Sequence, residues 1–249
     1  MPAQRSHLAA AAALRSPAAR SHRGPMRRDK APPGDVAPTP SAPAAPTSVR
    51  RRLRELGLSP RKALGQHFLT DRRYLERTLA AAEVSPQDTV LEVGPGLGVL
   101  TEALAQRAGR VVAVELDEEL VAALRRTLAR YGNLEVLQGD ARHVDIEALL
   151  GGRPPYKVVA NLPYYAASPI VRRFLEAAWK PLLLVVMVQR EVAQQMAAPP
   201  GRMGLLSVGV QLYGRPRIVA TVPPAPSIHP PRSPRPSCAS TCTPSRPWR

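Results

Sequence analysis

Three short stretches carry residue types that could hold a nucleoside. Leu91-Glu-Val-Gly-Pro-Gly-Leu-Gly98 places glycines at 94, 96 and 98, directly after an apolar run. Glycine lets the backbone turn sharply and lets a ligand approach where a Cβ would clash. The same stretch is also compatible with a plain strand–helix turn. Glu115 lies 21 positions after Gly94, where a carboxylate can accept both ribose hydroxyl hydrogens of an adenosine-containing cofactor. Its neighbours Asp117, Glu118 and Glu119 support a simpler role as helix N-terminal acids. Asp140, in Gln138-Gly-Asp-Ala141, can accept from an adenine amino group or serve as a cap or turn residue.

The glycine turn with its downstream acid suits a nicotinamide dinucleotide and S-adenosylmethionine alike. Asn161-Leu-Pro-Tyr164 separates the two. An adenine amino nitrogen is a poor nucleophile because its lone pair is delocalised into the ring. The Asn161 side-chain carbonyl and the Leu162 backbone carbonyl could accept both amino hydrogens and favour a more pyramidal nitrogen. Pro163 would fix the turn through its restricted φ. Tyr164 would stack on the base, a contact worth about 1–3 kcal/mol in single-strand binders. A sulfonium already activates its methyl group, so orientation and polar preorganisation suffice, without metal or strong base. An ordinary strand-end turn is the plainer alternative. A nicotinamide-dependent oxidoreductase leaves this stretch unexplained.

These residues need strands to end beside one another. Short apolar runs predict strands over Thr89–Val93, Arg110–Glu115, Leu134–Gln138, Lys157–Asn161, Leu182–Gln189 and Arg217–Val222. Helical spacing predicts Arg72–Ala82, Leu97–Arg107, Glu118–Tyr131, Ile146–Leu150, Pro169–Ala178 and Glu191–Ala197, with Arg50–Glu55 opening a short helix. Strand–helix alternation at this spacing implies an α/β fold with a doubly wound, mostly parallel sheet. Each predicted site residue then closes a strand or opens the following helix.

The 249 residues suffice for one sizeable domain, and aromatics at 4% leave aliphatic side chains to fill its core. The apolar run Pro181–Val188 is too short to span a bilayer. The net charge of +16 suggests nucleic acid, but its distribution weakens that argument. Residues 1–53 carry +8, residues 54–191 only +1, and residues 192–249 carry +7. Cys238 and Cys242 lack a second ligand pair for zinc. The absence of earlier cysteines fits a reducing compartment.

The expected organisation is a disordered basic Ala/Pro-rich extension over 1–48, a methyltransferase domain over 49–222 and a disordered Pro/Arg-rich tail over 223–249. Residues 1–30 have the composition of an organellar transit peptide, although a start codon read too early in a GC-rich gene explains them better. Location is accordingly expected to be cytoplasmic, or mitochondrial or plastid if 1–30 is a transit peptide.

Gly65-Gln-His-Phe-Leu69, Glu92-Val-Gly-Pro-Gly-Leu97, Glu115-Leu-Asp117, Gly139-Asp-Ala141 and Asn161-Leu-Pro-Tyr164 occur together in one order and spacing. Gln189-Arg-Glu191 and Gly204-Leu-Leu-Ser-Val208 follow. The set resembles the ribosomal RNA adenine dimethyltransferase family, over roughly Arg61 to Pro224. The resemblance implies a Rossmann-like class I S-adenosylmethionine-dependent methyltransferase sheet followed by a small helical domain. It places Gln66, His67, Leu69, Gly94, Gly96, Glu115, Asp140 and Asn161 around S-adenosylmethionine, with Asn161, Leu162, Pro163 and Tyr164 as the catalytic stretch. His67 stands where the family usually has Asn. The implied reaction is N6,N6-dimethylation of two adjacent adenosines near the 3′ end of small-subunit ribosomal RNA, during ribosome biogenesis. The implied partner is the pre-ribosomal small subunit, with a monomeric enzyme and no membrane. Alternatives are a large-subunit methylase of the macrolide-resistance type and a non-catalytic RNA-binding assembly factor.

After Thr221-Val-Pro-Pro224 the family supplies a Phe in a Pro-rich loop, a final strand and the helical domain. This chain instead has nine prolines and no acid among its last 27 residues, which looks like a shifted reading frame. The expectation is therefore a missing helical domain, a missing final strand and an exposed sheet edge.

Overall fold

The computed structural model describes residues 9–15, 49–57, 72–162 and 166–221. Seven strands form one sheet, in the order β4-β3-β2-β5-β6-β1-β7. The strands are β1 (Ala9–Arg15), β2 (Thr89–Val93), β3 (Arg110–Glu115), β4 (Leu134–Gln138), β5 (Tyr156–Asn161), β6 (Leu183–Gln189) and β7 (Arg217–Thr221). The helices are α1 (Val49–Leu56), α2 (Arg72–Ala82), α3 (Val99–Ala105), α4 (Glu118–Thr127), α5 (Ile146–Leu150), α6 (Ala167–Glu176), α7 (Arg190–Met196) and α8 (Leu205–Gln211).

Strands β4, β3, β2, β5 and β6 run parallel. Parallel strands covered on both faces read as unbroken apolar runs, because neither side meets water. β6 is the extreme case: Leu183 to Val188 are all buried, and only Gln189 at its end is partly exposed. Alternate side chains go to opposite faces. Leu91, Val93, Val158 and Val186 pack with Ile146, Phe174 and other residues of α5, α6 and α7. Val90, Val159 and Val185 meet Leu79 of α2 and Leu104 of α3. Ala113 and Val136 meet Leu53 of α1 and Leu124 of α4. The sheet is thus doubly wound, as the alternation implied, in the Rossmann-like class I methyltransferase arrangement.

Helix starts follow local chemistry. Asp117 caps α4, accepting from the Glu119 and Leu120 amides at 3.0 and 3.3 Å. Asp145 caps α5 in the same way, accepting from Glu147 and Ala148 at 3.0 and 3.1 Å. Both aspartates end the loops that follow β3 and β4, so they also set where those loops stop.

Two elements differ from the sequence expectation. Ala9–Arg15 was expected in a disordered extension; it forms a strand between β6 and β7, antiparallel to both. The expected open edge of β6 is therefore taken, because an inner strand's unpaired N–H and C=O groups demand partners. Helix α8 was not expected at all. It is held to the end of α7 by the Gln211 amide, which donates to the Met196 and Ala198 carbonyls at 2.9 and 2.8 Å. Residues 223–249, including both cysteines, lie outside the described residues.

Candidate functional site

The strand order reverses at β2, which has β3 on one side and β5 on the other. In open α/β sheets a ligand binds outside the carboxyl ends of the strands at such a point. Register determines what lies there. Val93 is paired with Val114 and with Ala160, so Gly94 emerges between Glu115 and Asn161. The Gly94 amide donates to the Val114 carbonyl at 3.0 Å. A Cβ on Gly94 would lie 3.6 Å from the Asn161 carbonyl oxygen.

The glycine turn is built as its composition requires. Gly94, Gly96 and Gly98 have φ of 68°, 54° and 74°, in the left-handed region that other residues enter only with strain. At Gly98 space is closed as well: a Cβ would come within 2.5 Å of Leu124 Cδ2. Gly96 has a different task, donating its amide to Glu115 Oε2 at 3.1 Å.

Glu115 is more heavily engaged than the sequence suggested. Its Oε1 accepts from the Leu116 and Asp117 amides at 2.8 and 3.1 Å, in addition to the Gly96 bond at Oε2. An ionised carboxylate offers about four acceptor sites, so backbone donors already take most of them. Glu115 is therefore the clasp between the glycine turn and the end of β3. A diol could take the remaining position and compete for the weaker backbone bonds.

Asp140 follows β4 in the same layer. Its carboxylate is gripped by Arg142, through Nε at 3.0 Å and a terminal nitrogen at 2.6 Å, and by the Arg142 amide at 2.9 Å. His143 Nδ1 lies 3.3 Å away. The Arg142 guanidinium, then its amide, hold the Asp140 carboxyl well below the usual carboxylate range. The expected adenine acceptor is thus paired within its own loop, and an amino group would have to share it.

Asn161 ends β5 and Leu162 is buried behind it. The Leu162 amide donates to the Met187 carbonyl of β6 at 3.1 Å, fixing the start of the stretch expected to be catalytic to the neighbouring strand. Of the predicted site residues, the structure brings together Gly94, Gly96, Glu115 and Asn161, with Leu162 and Asp140 beside them. Gln66, His67, Leu69, Pro163 and Tyr164 lie outside the described residues.

Two residues were missed as site residues. Arg52 of α1 is only 7% exposed. Its Nε donates to the Leu97 carbonyl at 2.8 Å, and its terminal nitrogens lie 3.2 and 3.3 Å from Glu55 and Glu102. It therefore latches α1 onto the glycine turn from outside. In the sequence it sits in the run Arg50-Arg-Arg52, which reads as a solvated basic face. Glu92 is 1% exposed in the middle of β2. Burial pushes its carboxyl up to about 8, and the neighbouring Glu115 adds to it. Neither Glu92 Oε2 nor Thr101 Oγ1 has a hydrogen-bond partner among the described residues. A carboxylic acid inside an alternating apolar strand was the available signal.

No group of metal ligands occurs among the described residues. The turn with its left-handed glycines and adjoining carboxylate fits an adenosine-bearing molecule. A family model described as ribosomal RNA adenine dimethylase matches residues 57–241. The chain belongs to the ribosomal RNA adenine dimethylase family. The match to this family runs past Pro224, where the motif resemblance stopped. Ribosomal RNA small subunit methyltransferase A of Dehalococcoides mccartyi is 48% identical over 183 residues, covering 74% of this chain and 63% of the relative. The protein of the same name from Moorella thermoacetica is 48% identical over 190 residues, covering 72% and 66%. A solved dimethyladenosine transferase from Plasmodium falciparum matches with a TM-score of 0.53 at 28% identity, covering 61% of this chain and 54% of the other. Against the Dehalococcoides relative, the chain thus spans less than two thirds of the family member's length.

Proposed function

We propose that this chain is the methyl-transferring part of a ribosomal RNA adenine dimethyltransferase, using S-adenosylmethionine to methylate N6 of two adjacent adenosines near the 3′ end of small-subunit RNA. The reading rests on one juxtaposition: the Asn161-Leu162 strand end lies beside the left-handed glycine turn at Gly94. Family membership supports reading the two halves of that juxtaposition as a methyl-donor side and an acceptor side.

S-adenosylmethionine supplies an electrophilic methyl on a sulfonium. Gly94 and Gly96 would lie against the bound molecule, Glu115 would accept from its ribose and Asp140 from its adenine amino group. Asn161 and the Leu162 carbonyl would accept the hydrogens of the target amine and aim its lone pair. Transfer would exchange the methyl–sulfur bond for an N–C bond, with the amine held by Asn161 and the Leu162 carbonyl and one of its hydrogens leaving as a proton. Pro163 and Tyr164 complete the stretch as turn and stacking platform, and Gln66, His67 and Leu69 complete the cofactor side. The pre-ribosomal small subunit is the proposed partner, with the enzyme acting as a monomer in the cytoplasm. The domain limits 49–222 and the tail 223–249 are part of the same proposal, with Ala9–Arg15 of the extension contributing β1 to the domain's sheet.

The test uses small-subunit particles lacking the modification. Asn161→Ala should lower the rate of dimethyladenosine formation, read by mass spectrometry, by at least about 100-fold while RNA binding changes little, because orientation acts in the transition state. Cofactor affinity is measured in parallel. A normal rate in that variant would overturn the proposed role.

A further inference from the structure

The slot between β6 and β7 is filled from far away in sequence. Seven residues of β1 pair with β6 in unbroken antiparallel register, from Ala9 opposite Gln189 to Arg15 opposite Leu183. The other edge of β1 pairs with β7 at Ala10–Thr221 and Ala13–Arg217, with a shift of register between them. β1 is the only strand paired with β7 among the described residues. Thus β1 both covers the edge of β6 and ties β7 to the sheet.

The segment does not bring strand character of its own. Its sequence is Ala-Ala-Ala-Ala-Ala-Leu-Arg, and alanine is the best helix former and is depleted in strands. Its extended form must therefore come from the two edges that receive it. Those edges are demanding. β6 reads Leu-Leu-Val-Val-Met-Val-Gln, and bare it would be an apolar, uncharged strand edge of the kind that captures other chains. The first six residues of the segment are uncharged, which suits an inner position where a charge would be desolvated, and its one charge, Arg15, stands at the end opposite Leu183. Between Arg15 and Val49 lie 33 residues, enough to span up to about 110 Å.

We propose that the gap between β6 and β7 is a strand-acceptor site, and that residues 9–15 occupy it in cis as a separable donor strand. The site recognises an extended segment of about seven residues, uncharged except at its end, running antiparallel to β6. Its hydrogen bonds are main-chain, so shape and lack of charge select the occupant more than side-chain identity does. Tethering favours the chain's own segment. Linkage to one's own site gives an effective concentration on the order of millimolar, about a thousandfold above a micromolar solution of second copies.

The register makes the proposal testable in the full chain. Cys238 and Cys242 are first replaced by Ser. Ala12→Cys with Val186→Cys then places cysteines at directly opposite positions, where antiparallel Cα spacing of about 4.5–5.5 Å allows a disulfide. Mild oxidation should crosslink most of the protein within the monomer, shown by mass and by mobility on a non-reducing gel. The off-register pair Ala12→Cys with Val185→Cys should crosslink at least tenfold less. Crosslinked dimers as the main product would overturn the cis occupant in favour of strand exchange. Less than a tenth crosslinked, or equal yields in both pairs, would overturn the acceptor site. Hydrogen exchange on the unaltered chain covers the case where cysteine variants fail to fold. Amides of residues 9–15 should exchange at least about 100-fold more slowly than in a free peptide, and free-peptide rates would overturn the proposal.

Discussion

At the residue scale, Glu115 and Glu92 show two carboxyl groups put to opposite uses a short distance apart in the fold. Glu115 is an acceptor: three backbone amides donate to it, and under the proposed function a bound ribose would join them. Replacing it with Ala strands those donors as well as removing the proposed ribose acceptor. Hydrogen bonds to charged groups are worth about 1.5–3 kcal/mol each, so Glu115→Ala should weaken S-adenosylmethionine binding by about 10- to 100-fold in calorimetry. An unchanged affinity would remove Glu115 from the cofactor site. Glu92 is held neutral instead. Its folded value of about 8 lies above the ordinary 4.5, so the folded state keeps a proton that the unfolded chain releases. Stability from this group is complete below the ordinary value and is lost as pH rises through 8. Glu92→Gln keeps the shape and the neutral form. It should flatten the melting temperature between about pH 5 and pH 8, and at the upper end exceed the parent by several degrees, with up to about 5 kcal/mol at stake. Parallel pH profiles for parent and variant would show that the carboxyl is not buried as a neutral acid.

At the scale of elements, the strands around the site were legible because burial on both faces leaves a direct trace. β2, β3 and β4 coincide with their expected limits, and β5 and β6 differ by one residue at the start. The glycine turn was legible for a similar reason, since three left-handed positions in five residues admit little else. Other contacts left no trace. Arg52 could not be distinguished from Arg50 or Arg51 by type; only the fold decides which arginine meets the Leu97 carbonyl. Removing it tests the latch between α1 and the turn. Arg52→Ala removes a buried cation from the Leu97 carbonyl and from Glu55 and Glu102, which keep Arg51 and Arg130 as partners, so stability should fall by about 1–3 kcal/mol. Denaturant midpoints would show it, and Arg52→Lys should recover only part, because one ammonium cannot reproduce the planar fork. A midpoint unchanged in Arg52→Ala would mean that α1 is held by Leu53, Leu56 and the bond from Arg126 to the Leu56 carbonyl. The α8 helix was illegible because apolar residues lie on both its sides: Val210 is buried and Leu206 packs on the core, whereas Leu205, Val208 and the capping Leu212 form an outer stripe that is 89%, 52% and 70% exposed.

Across the whole molecule, that exposed stripe is the main departure from a polar surface among the described residues. Side chains so exposed contribute little to folding stability, but grouped apolar surface promotes association. Changing Leu205, Val208 and Leu212 together to Lys should leave the melting temperature within about 2 °C. It should also lower the concentration dependence of light scattering. A large fall in melting temperature would mean that the stripe is covered in the folded chain. The order of synthesis gives another consequence of the sheet. β1 leaves the ribosome first, yet its partner Leu183 lies about 170 residues behind Arg15. At translation rates of about 5–20 residues per second, the segment waits roughly 10–30 s for β6, and longer for β7. The parallel half of the sheet can assemble during that interval from strands made in succession. Closing the sheet is then a long-range event that pays its loop entropy late, so the last step of folding is the return of the first strand made.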